Sequence, residues 1–291
     1  MLQEKTASYR RRIAARFPEL AGAPSRLVVE DGQYNDILVV AERIVFRFPR
    51  FQEGVDRLPA LVRLLRVVRR HVTLPVPDPL YTGLDRTAVG EAFIGYPMLP
   101  GEPLWQEHLA TITDEGVRHR LGTQLAGFLR QLHAVPLEEV VPGGAATFNP
   151  LAAWADLYAR VRTKLFPSMR PAARREVSAH FEAFLSDPRS QTIRPSLVHG
   201  DFGTGNVLFD ATTRHITGVI DFDGAGPGDP AVDLAAAQGF ELPSLLEAYP
   251  KDEALMARAR FYRGTFVLQE ALYGVEHGDE EAFARSIAPY R

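Results

Sequence analysis

The chain has 291 residues, with a hydrophobic content of 46% and a charged content of 24%, which is typical of a globular protein with one large or two moderate domains. Its net charge of −3 provides no overall attraction to nucleic acid or to an anionic membrane, so we expect neither as a partner. The absence of cysteine excludes disulfides, thiolate metal sites and a cysteine nucleophile. No apolar run is long enough for a bilayer span and the N-terminus lacks a signal-peptide core, so we predict a cytoplasmic location.

The first third of the chain predicts a helix followed by a small antiparallel sheet. Residues 4–20 have a helical pattern that ends near Pro18. β-forming residues then recur in three short runs, residues 26–30, 36–40 and 43–48, with turns at 31–32 and 41–42. An amphipathic helix follows, which we expect to begin near Pro59. Its apolar face consists of Val55, Leu58, Leu61, Val62, Leu65 and Val68.

A stiff link follows the next strand, which is predicted over residues 88–94. The segment G-Y-P-M-L-P-G contains two prolines and ends on a glycine, so we place a domain boundary at residues 97–101. Beyond it the pattern is mostly helical. Helices are predicted over residues 114–133, 151–166, 171–185, 231–239, 243–249, 251–275 and 279–287. The sequence therefore predicts an α+β protein with an N-terminal domain over 1–96 and a helical domain over 102–291.

One stretch of the second half places polar side chains at the ends of apolar segments. It reads L-V-H-G-D-F-G-T-G-N-V-L-F-D, then a turn, then I-T-G-V-I-D-F-D-G-A-G-P-G-D-P-A-V-D-L. Residues 207–209 and 216–220 are predicted to be the two strands of a hairpin. Such a hairpin would bring Asp201, Asn206 and Asp221 to one end.

These three side chains offer only oxygen donors, which suits a hard cation such as Mg²⁺. In the protein-kinase template, one Asp orients the accepting hydroxyl, an Asn five residues later holds a metal, and a later Asp joins the metal to the phosphates. The spacing from Asp201 to Asn206, and then fifteen residues to Asp221, matches that template.

The other polar residues of the stretch have structural interpretations. Asp, Asn and Gly are common in loops because they turn well, but two motifs in order favour catalysis. We predict that His199 bonds the loop backbone and does not act as a base. Asp229 is predicted to cap the following helix, with Pro230 at its first position, and Asp233 is also predicted to be structural.

The combination of H-G-D-x-x-x-x-N with I-D-F resembles the aminoglycoside phosphotransferase family, whose members share the protein-kinase fold. The resemblance covers most of the chain and is most specific at the hairpin. It implies a two-lobed kinase-like fold, with a small antiparallel-sheet N-lobe and a mostly helical C-lobe. It also implies transfer of the γ-phosphoryl group of ATP or GTP to a hydroxyl. In that reaction Asp201 would orient the hydroxyl and accept its proton, while Asn206 and Asp221 would hold Mg²⁺.

The resemblance further implies a nucleotide site formed by the N-lobe and the link. Arg47 stands where the kinase template has a lysine that meets the α- and β-phosphates. The turn that contains Gly32 would cover the phosphates. Tyr96 would lie near the base pocket, and the backbone of Met98 and Leu99 would face the edge of the base.

Two features depart from the family pattern. Family members usually carry a glutamate on the helix after the strand lysine, and this chain has Leu61 at the aligned position. Arg47 is thereby left without its expected partner, and Glu53 or Asp56 are the nearest substitutes. The predicted phosphate turn also contains a single glycine. Both departures support a rival interpretation, a non-catalytic nucleotide-binding pseudokinase, whereas the intact hairpin residues oppose it.

The substrate prediction combines charge with resemblance. Carboxylates are frequent towards the C-terminus, and acids facing the transfer site would attract a polycation such as an aminoglycoside. The predicted substrate contacts are Asp201, Asp223, Glu241 and Glu270. The F-R-F-P-R strand, the I-D-F-D-G-A stretch and the closing helices are most similar to enzymes that act on a 2″-hydroxyl. Relatives with the same motifs phosphorylate macrolides, choline, homoserine and other metabolites, and an apolar substrate cleft would favour a macrolide.

Overall fold

The computed structural model describes residues 2–28, 34–141 and 149–291. The chain divides into two compact units, which we call the sheet unit and the helical unit. The sheet unit comprises Met1–Val117 and Thr204–Ala225, and the helical unit comprises Arg118–Gly203 and Gly226–Arg291. The predicted hairpin therefore groups with the N-terminal sheet, and the boundary at residues 97–101 stays a prediction. Among the described residues, no helix combines the length and hydropathy that crossing a bilayer requires.

The secondary structure alternates short strands with longer helices. The strands are β1 Ser25–Val28, β2 Asn35–Val40, β3 Ile44–Pro49, β4 Tyr81–Gly83, β5 Phe93–Pro97, β6 Glu102–Pro103, β7 Ser196–Val198, β8 Val207–Asp210, β9 His215–Val219 and β10 Gly226–Gly228. The helices are α1 Leu2–Arg16, α2 Gln52–His71, α3 Gln106–Thr111, α4 Glu115–His133, α5 Leu137–Val140, α6 Pro150–Lys164, α7 Pro171–Ser186, α8 Ala231–Ala237, α9 Pro243–Ala248, α10 Glu253–Arg263, α11 Phe266–His277 and α12 Glu280–Ile287.

The sheet unit contains two antiparallel sheets. Its larger sheet has the strand order β1-β2-β3-β5-β4, and its smaller sheet has the order β6-β8-β9. The predicted N-terminal strands and the predicted hairpin are confirmed. The turn between β2 and β3 falls at Ala41 and Glu42 as expected, with positive φ angles of 54° and 50°. A pair of left-handed residues gives a tight turn whose twist matches that of the two strands it joins.

Strand β3 divides its side chains between two apolar layers. Phe46 and Phe48 are fully buried in a cluster that includes Tyr9 of α1. The Tyr9 and Phe48 rings stack with centroids 3.8 Å apart. On the other face, Val45 packs in a second cluster formed mainly by α2 and β5. Because side chains alternate along a strand, Arg47 lies on the same face as Val45, which is the face that α2 covers.

Helix α2 begins earlier than the sequence predicted. We expected its start near Pro59, but the helix begins at Gln52 and Pro59 lies inside it. Proline removes one backbone donor from a helix interior. Val55 and Leu58, which precede the proline, are buried with Val62 against the sheet. Burial of this apolar face therefore stabilises helical residues on the N-terminal side of Pro59, a residue that would normally mark the first turn.

The strand predicted over residues 88–94 lies further along the chain. Strand β5 covers Phe93–Pro97, and a turn occupies the residues before it. The Glu91 N–H donates to the Ala88 carbonyl at 3.0 Å, and Gly90 has a φ of 76°. Glycine enters this left-handed conformation without the steric cost that a side chain imposes.

The helical unit is built around α4. The residues predicted to form its buried face are all buried in the structure: Val117, Leu121, Leu125, Phe128, Leu129 and Leu132. The helix predicted over residues 251–275 is instead two helices, α10 and α11, separated at Gly264 and Thr265. A Cβ on Gly264 would lie 2.7 Å from the His180 ring. The Thr265 hydroxyl is buried and donates to the Tyr262 carbonyl at 2.7 Å, so packing fixes the break.

Asp229 joins the start of α8 to α10. Helix α8 begins at Ala231 with Pro230 at the N-cap, one residue later than predicted, and the Ala231 N–H donates to Asp229 Oδ1 at 3.0 Å. The Asp229 carboxylate also accepts from Arg258 Nε at 2.6 Å and from the Tyr262 hydroxyl at 2.7 Å. Burial, reinforced by the charge of Asp229, raises the pKa of Tyr262. Sequence spacing did not predict the last two partners, which lie 29 and 33 residues further along the chain.

We predict that Asp229→Ala lowers the free energy of unfolding by about 3–5 kcal/mol, because it strands a largely buried Arg258 guanidinium and the Tyr262 hydroxyl. Urea denaturation of the purified variant measures this loss. Glu253→Ala is the matched control, since Glu253 and its partner Arg260 are both exposed. It should cost at most about 1 kcal/mol. Equal losses in the two variants would contradict a special role for the buried cluster.

Candidate active site

Asn206 and Asp221 lie together at one end of the hairpin. Val207 of β8 pairs with Val219 of β9, and the Ile220 N–H donates to the Asn206 carbonyl at 2.8 Å. Asp221 follows directly and has a left-handed backbone, with φ 63° and ψ 69°. A non-glycine residue rarely adopts this conformation unless its surroundings impose it, and such residues cluster at functional sites. The structure therefore brings these two predicted metal ligands together.

Arg47 is bound by two carboxylates of the Asp221–Asp223 turn. Its Nη2 atom donates to Asp221 Oδ1 at 2.9 Å and to Asp223 Oδ2 at 2.6 Å. Asn35 of β2 donates through Nδ2 to the same Asp223 oxygen at 2.7 Å. The Arg47 side chain is only 7% exposed, whereas those of Asp221 and Asp223 are 41% and 35% exposed. A buried cation thus faces two partly exposed anions.

The partners predicted for Arg47 were wrong. Glu53 lies 3.9 Å from Arg57 in an exposed ion pair, and Asp56 accepts from Gln52. Both acids belong to the first two turns of α2 and bond neighbours on the same helix. The hydrogen-bonded partners of Arg47 come instead from the turn after β9, about 175 residues away in sequence.

Electrostatics reinforces the Arg47 cluster. Burial by itself would lower the pKa of the Arg47 guanidinium, but the nearby Asp221, Tyr96 and Asp223 oxygens outweigh it and raise that pKa. Burial also raises the pKa of Asp223, which the charge of Arg47 opposes and the charge of Asp221 reinforces. Arg47 therefore stays a cation at every physiological pH.

The donor set at the hairpin end fits Mg²⁺. Asn206 and Asp221 supply an amide oxygen and a carboxylate, and Mg²⁺ in phosphate-transfer sites takes one or two such ligands while keeping several waters. Across the described residues, no group of three or more His, Cys, Asp or Glu side chains could hold a metal ion.

The residues predicted to bind the nucleotide base lie at the end of β5 and directly after it. Tyr96 is buried opposite Val45 of β3, and burial raises the pKa of its hydroxyl. The Met98 N–H donates to the Arg43 carbonyl at 2.7 Å, so this backbone donor is already used within the sheet unit. Leu99 packs against Gly218, where a Cβ would lie 2.8 Å from its side chain. The predicted contact at Gly32 lies outside the described residues.

In the helical unit, Asp233 fixes the loop that carries Asp201. The Asp233 carboxylate is fully buried and accepts from the His199 N–H at 2.7 Å and the Gly200 N–H at 2.9 Å. His133 contacts the same carboxylate through Nε2 at 3.0 Å. The Asp201 N–H donates to His199 Nδ1 at 3.3 Å, which confirms the structural role predicted for His199. One buried acid thus sets the backbone path of the residues that precede the predicted catalytic aspartate.

The surroundings of Asp233 keep it ionised. Burial would raise its pKa, but the hydrogen bond and charge of His133, with those of His199, outweigh burial and lower that pKa. Tyr249 bonds the other ring nitrogen of His133 at 2.7 Å. Burial, with a contribution from the charge of Asp233, raises the pKa of Tyr249 to about 12. The resulting chain of polar contacts joins α4 and α8 to the loop.

The acids predicted to contact substrate have different surroundings. Glu241 is exposed and has a left-handed backbone, with φ 52°. Its backbone carbonyl accepts a hydrogen bond from Arg118 at 2.7 Å. Glu270 forms an exposed ion pair with Arg285. Asp223 is the acid bound to Arg47. The substrate contacts of all three stay predictions. Sequence reasoning missed Asn35, although its place at the end of the predicted phosphate turn could have drawn attention to it.

Comparison with known proteins identifies the chemistry. A model described as the phosphotransferase enzyme family matches residues 26–262. The chain belongs to this family. It is therefore an enzyme that transfers phosphate to a hydroxyl, and the non-catalytic interpretation is wrong. This phosphotransferase is 32% identical over 273 residues to viomycin phosphotransferase of Streptomyces vinaceus, an alignment that covers 91% of this chain and 92% of the relative.

Solved structures confirm the kinase-like fold of this phosphotransferase. The GDP and kanamycin complex of an APH(2″) enzyme superposes with a TM-score of 0.87 at 24% identity, covering 97% of this chain and 96% of that one. A macrolide 2′-phosphotransferase from Brachybacterium faecium has a TM-score of 0.68 at 25% identity, with 96% of each chain covered. The resemblance inferred from the hairpin motifs is thus confirmed at the level of family and fold.

We predict that Asp233→Asn destabilises the phosphotransferase in a pH-dependent way. The lowered pKa of Asp233 means that its ionised form stabilises the fold above the ordinary aspartate pKa of about 4, and that this stabilisation is lost as the pH falls below that value. The deficit of the variant in free energy of unfolding should therefore be largest at neutral pH and shrink on acidification. Urea titrations at pH 7 and pH 3 measure it, and a deficit that does not change with pH would contradict this account.

Proposed function

We propose that the protein is an antibiotic kinase, which transfers the γ-phosphoryl group of ATP or GTP to a hydroxyl of an aminoglycoside, at the 2″ position. The observation that carries the proposal is that Asn206 and Asp221 both lie at one end of the hairpin, and that Asp221 bonds the buried Arg47 guanidinium there. An oxygen-donor metal site next to a fixed positive charge is what binding a metal–triphosphate requires. Family membership supplies the reaction class.

The proposed roles follow from the chemistry of phosphoryl transfer. Catalysis of this reaction depends mainly on positioning and charge neutralisation, with little covalent work for the protein. Asp201 would orient the acceptor hydroxyl and take its proton late, on a loop whose backbone Asp233 holds. Asn206 and Asp221 would hold Mg²⁺, which neutralises charge on the phosphates when bound. Arg47 would contact the phosphate oxygens, and Tyr96, Met98 and Leu99 would surround the base.

The nucleotide proposal draws on the structural relatives. One of them is described as a complex with GDP and kanamycin, and another APH(2″) enzyme as bound to ADP. We extend a nucleotide co-substrate to this chain because the Arg47 guanidinium lies beside Asp221, the proposed ligand of the metal that would accompany the phosphates. A soluble acceptor and a cytoplasmic location complete the proposal.

Viomycin is the second candidate acceptor. The relative named viomycin phosphotransferase shares 32% identity over nearly the whole chain, which is a stronger likeness in sequence than the 24% identity of the APH(2″) enzyme bound to GDP and kanamycin. A macrolide is a third possibility because a macrolide 2′-phosphotransferase shares the fold. The carboxylates Glu241 and Glu270 suit a cationic acceptor more than a mostly apolar one.

The test is release of nucleoside diphosphate by the purified full chain with Mg²⁺. Kanamycin, viomycin, a macrolide and small amino alcohols are tried in turn, each with ATP and with GTP. The proposal expects turnover stimulated by an aminoglycoside, with phosphate located on the 2″-oxygen by NMR of the product. Stimulation by viomycin alone would favour the second candidate. Absence of stimulation by any antibiotic would overturn the antibiotic assignment.

We predict that Asp201→Asn lowers kcat about 100- to 10 000-fold, because the acceptor hydroxyl loses its orienting base. Nucleotide affinity should stay close to that of the wild type, since the Arg47 cluster is untouched. Steady-state kinetics and calorimetric titration with MgADP measure the two effects. Asp210→Asn is the matched control, because Asp210 accepts backbone N–H groups of the hairpin turn, as asparagine also can. Normal turnover in Asp201→Asn would contradict the proposed role.

A further inference from the structure

The α2 residues that pack over β3 and β5 are apolar. Leu61, where the resemblance to the family implies a glutamate, packs partly buried in the cluster of Val55, Leu58, Val62, Ile94 and Tyr96. Arg47 lies on this same sheet face, because it alternates with Phe46 and Phe48 on β3. The neighbourhood that would hold a glutamate is therefore apolar, yet a buried guanidinium in it requires a counter-charge.

That counter-charge comes from the turn after β9. Helix α2 contacts the Phe222–Gly224 turn, so the turn reaches the region that α2 covers. Asp223 approaches Arg47 more closely than Asp221 does, at 2.6 Å against 2.9 Å. Asp223 also has a second fixed partner, because Asn35 of β2 donates to the same oxygen. Its position is thus determined by two neighbouring strands of the large sheet.

We propose that Asp223 is a positioning residue, which holds Arg47 in place for the nucleotide phosphates. The inference rests on the proposed function, and it assigns Asp223 to the nucleotide side of the reaction, in place of the substrate contact predicted from sequence. Asp223 acts through Arg47 and does not touch the reacting atoms. Asn35 completes the arrangement by fixing the Asp223 carboxylate.

Arginine suits this arrangement better than lysine. A lysine ammonium is a compact point charge, whereas the guanidinium presents five N–H groups in a rigid plane. Both carboxylate contacts of Arg47 use Nη2. The Tyr96 hydroxyl is a further hydrogen-bond partner of the guanidinium, so its plane is fixed from more than one side.

A double-mutant cycle on nucleotide affinity tests the inference. The variants are Asp223→Asn, Arg47→Met and the double variant, each as the full chain titrated with MgADP by calorimetry. Asp223→Asn should weaken binding about tenfold, the effect of losing one charge-assisted contact. In the Arg47→Met background the same substitution should change affinity by less than about twofold, because its target is gone. Asp223→Glu keeps the carboxylate and should bind within about threefold of wild type.

Kinetics separates this role from a substrate contact or a merely structural one. Asp223→Asn should raise KM for the nucleotide and leave KM for the acceptor unchanged. The control is Glu53→Gln, an exposed acid of α2 whose ion-pair partner is Arg57, and it should behave as wild type. A rise confined to the acceptor KM, or equal effects of Asp223→Asn with and without Arg47, would overturn the inference while leaving the proposed function intact. Failure of the wild type itself to bind MgADP would overturn both.

Discussion

The pairing of a buried guanidinium with two carboxylates is the interaction on which the rest of the site depends. Arg47 comes from the middle of the five-stranded sheet, and Asp221 and Asp223 come from the turn that ends the hairpin. Burying a cation in this way is unfavourable unless anions compensate it, so the sequence of the turn and that of β3 constrain each other. The left-handed Asp221 lies in the same turn, whose two carboxylates both bond one nitrogen of Arg47.

The helical unit applies the same principle to its own loop. Asp233 is an ionised acid that lies in the core, and it is stabilised there by two backbone N–H groups and by His133. Asp229 performs a similar task for α8 and α10. In both units a buried charge therefore fixes the conformation of a loop, and the residues proposed to meet substrate and metal stand on those loops.

Sequence reasoning found the elements whose signals are local and missed the partners that depend on tertiary structure. The hairpin and the apolar face of α4 follow from alternation and periodicity. The start of α2 was misplaced because a buried apolar face overrode the proline signal at Pro59. The partners of Arg47 were missed because they lie about 175 residues away in sequence. No spacing pattern within a strand or helix predicts which distant acid will contact it.

A crystal structure of the chain with Mg²⁺ and a non-hydrolysable ATP or GTP analogue tests the central claim most directly. The account predicts that Arg47 contacts phosphate oxygens while it keeps its hydrogen bond to Asp223, and that the metal is bound by oxygens of Asn206 and Asp221. Phosphates bound away from Arg47, or Asp223 turned away from the guanidinium towards an acceptor, would contradict it.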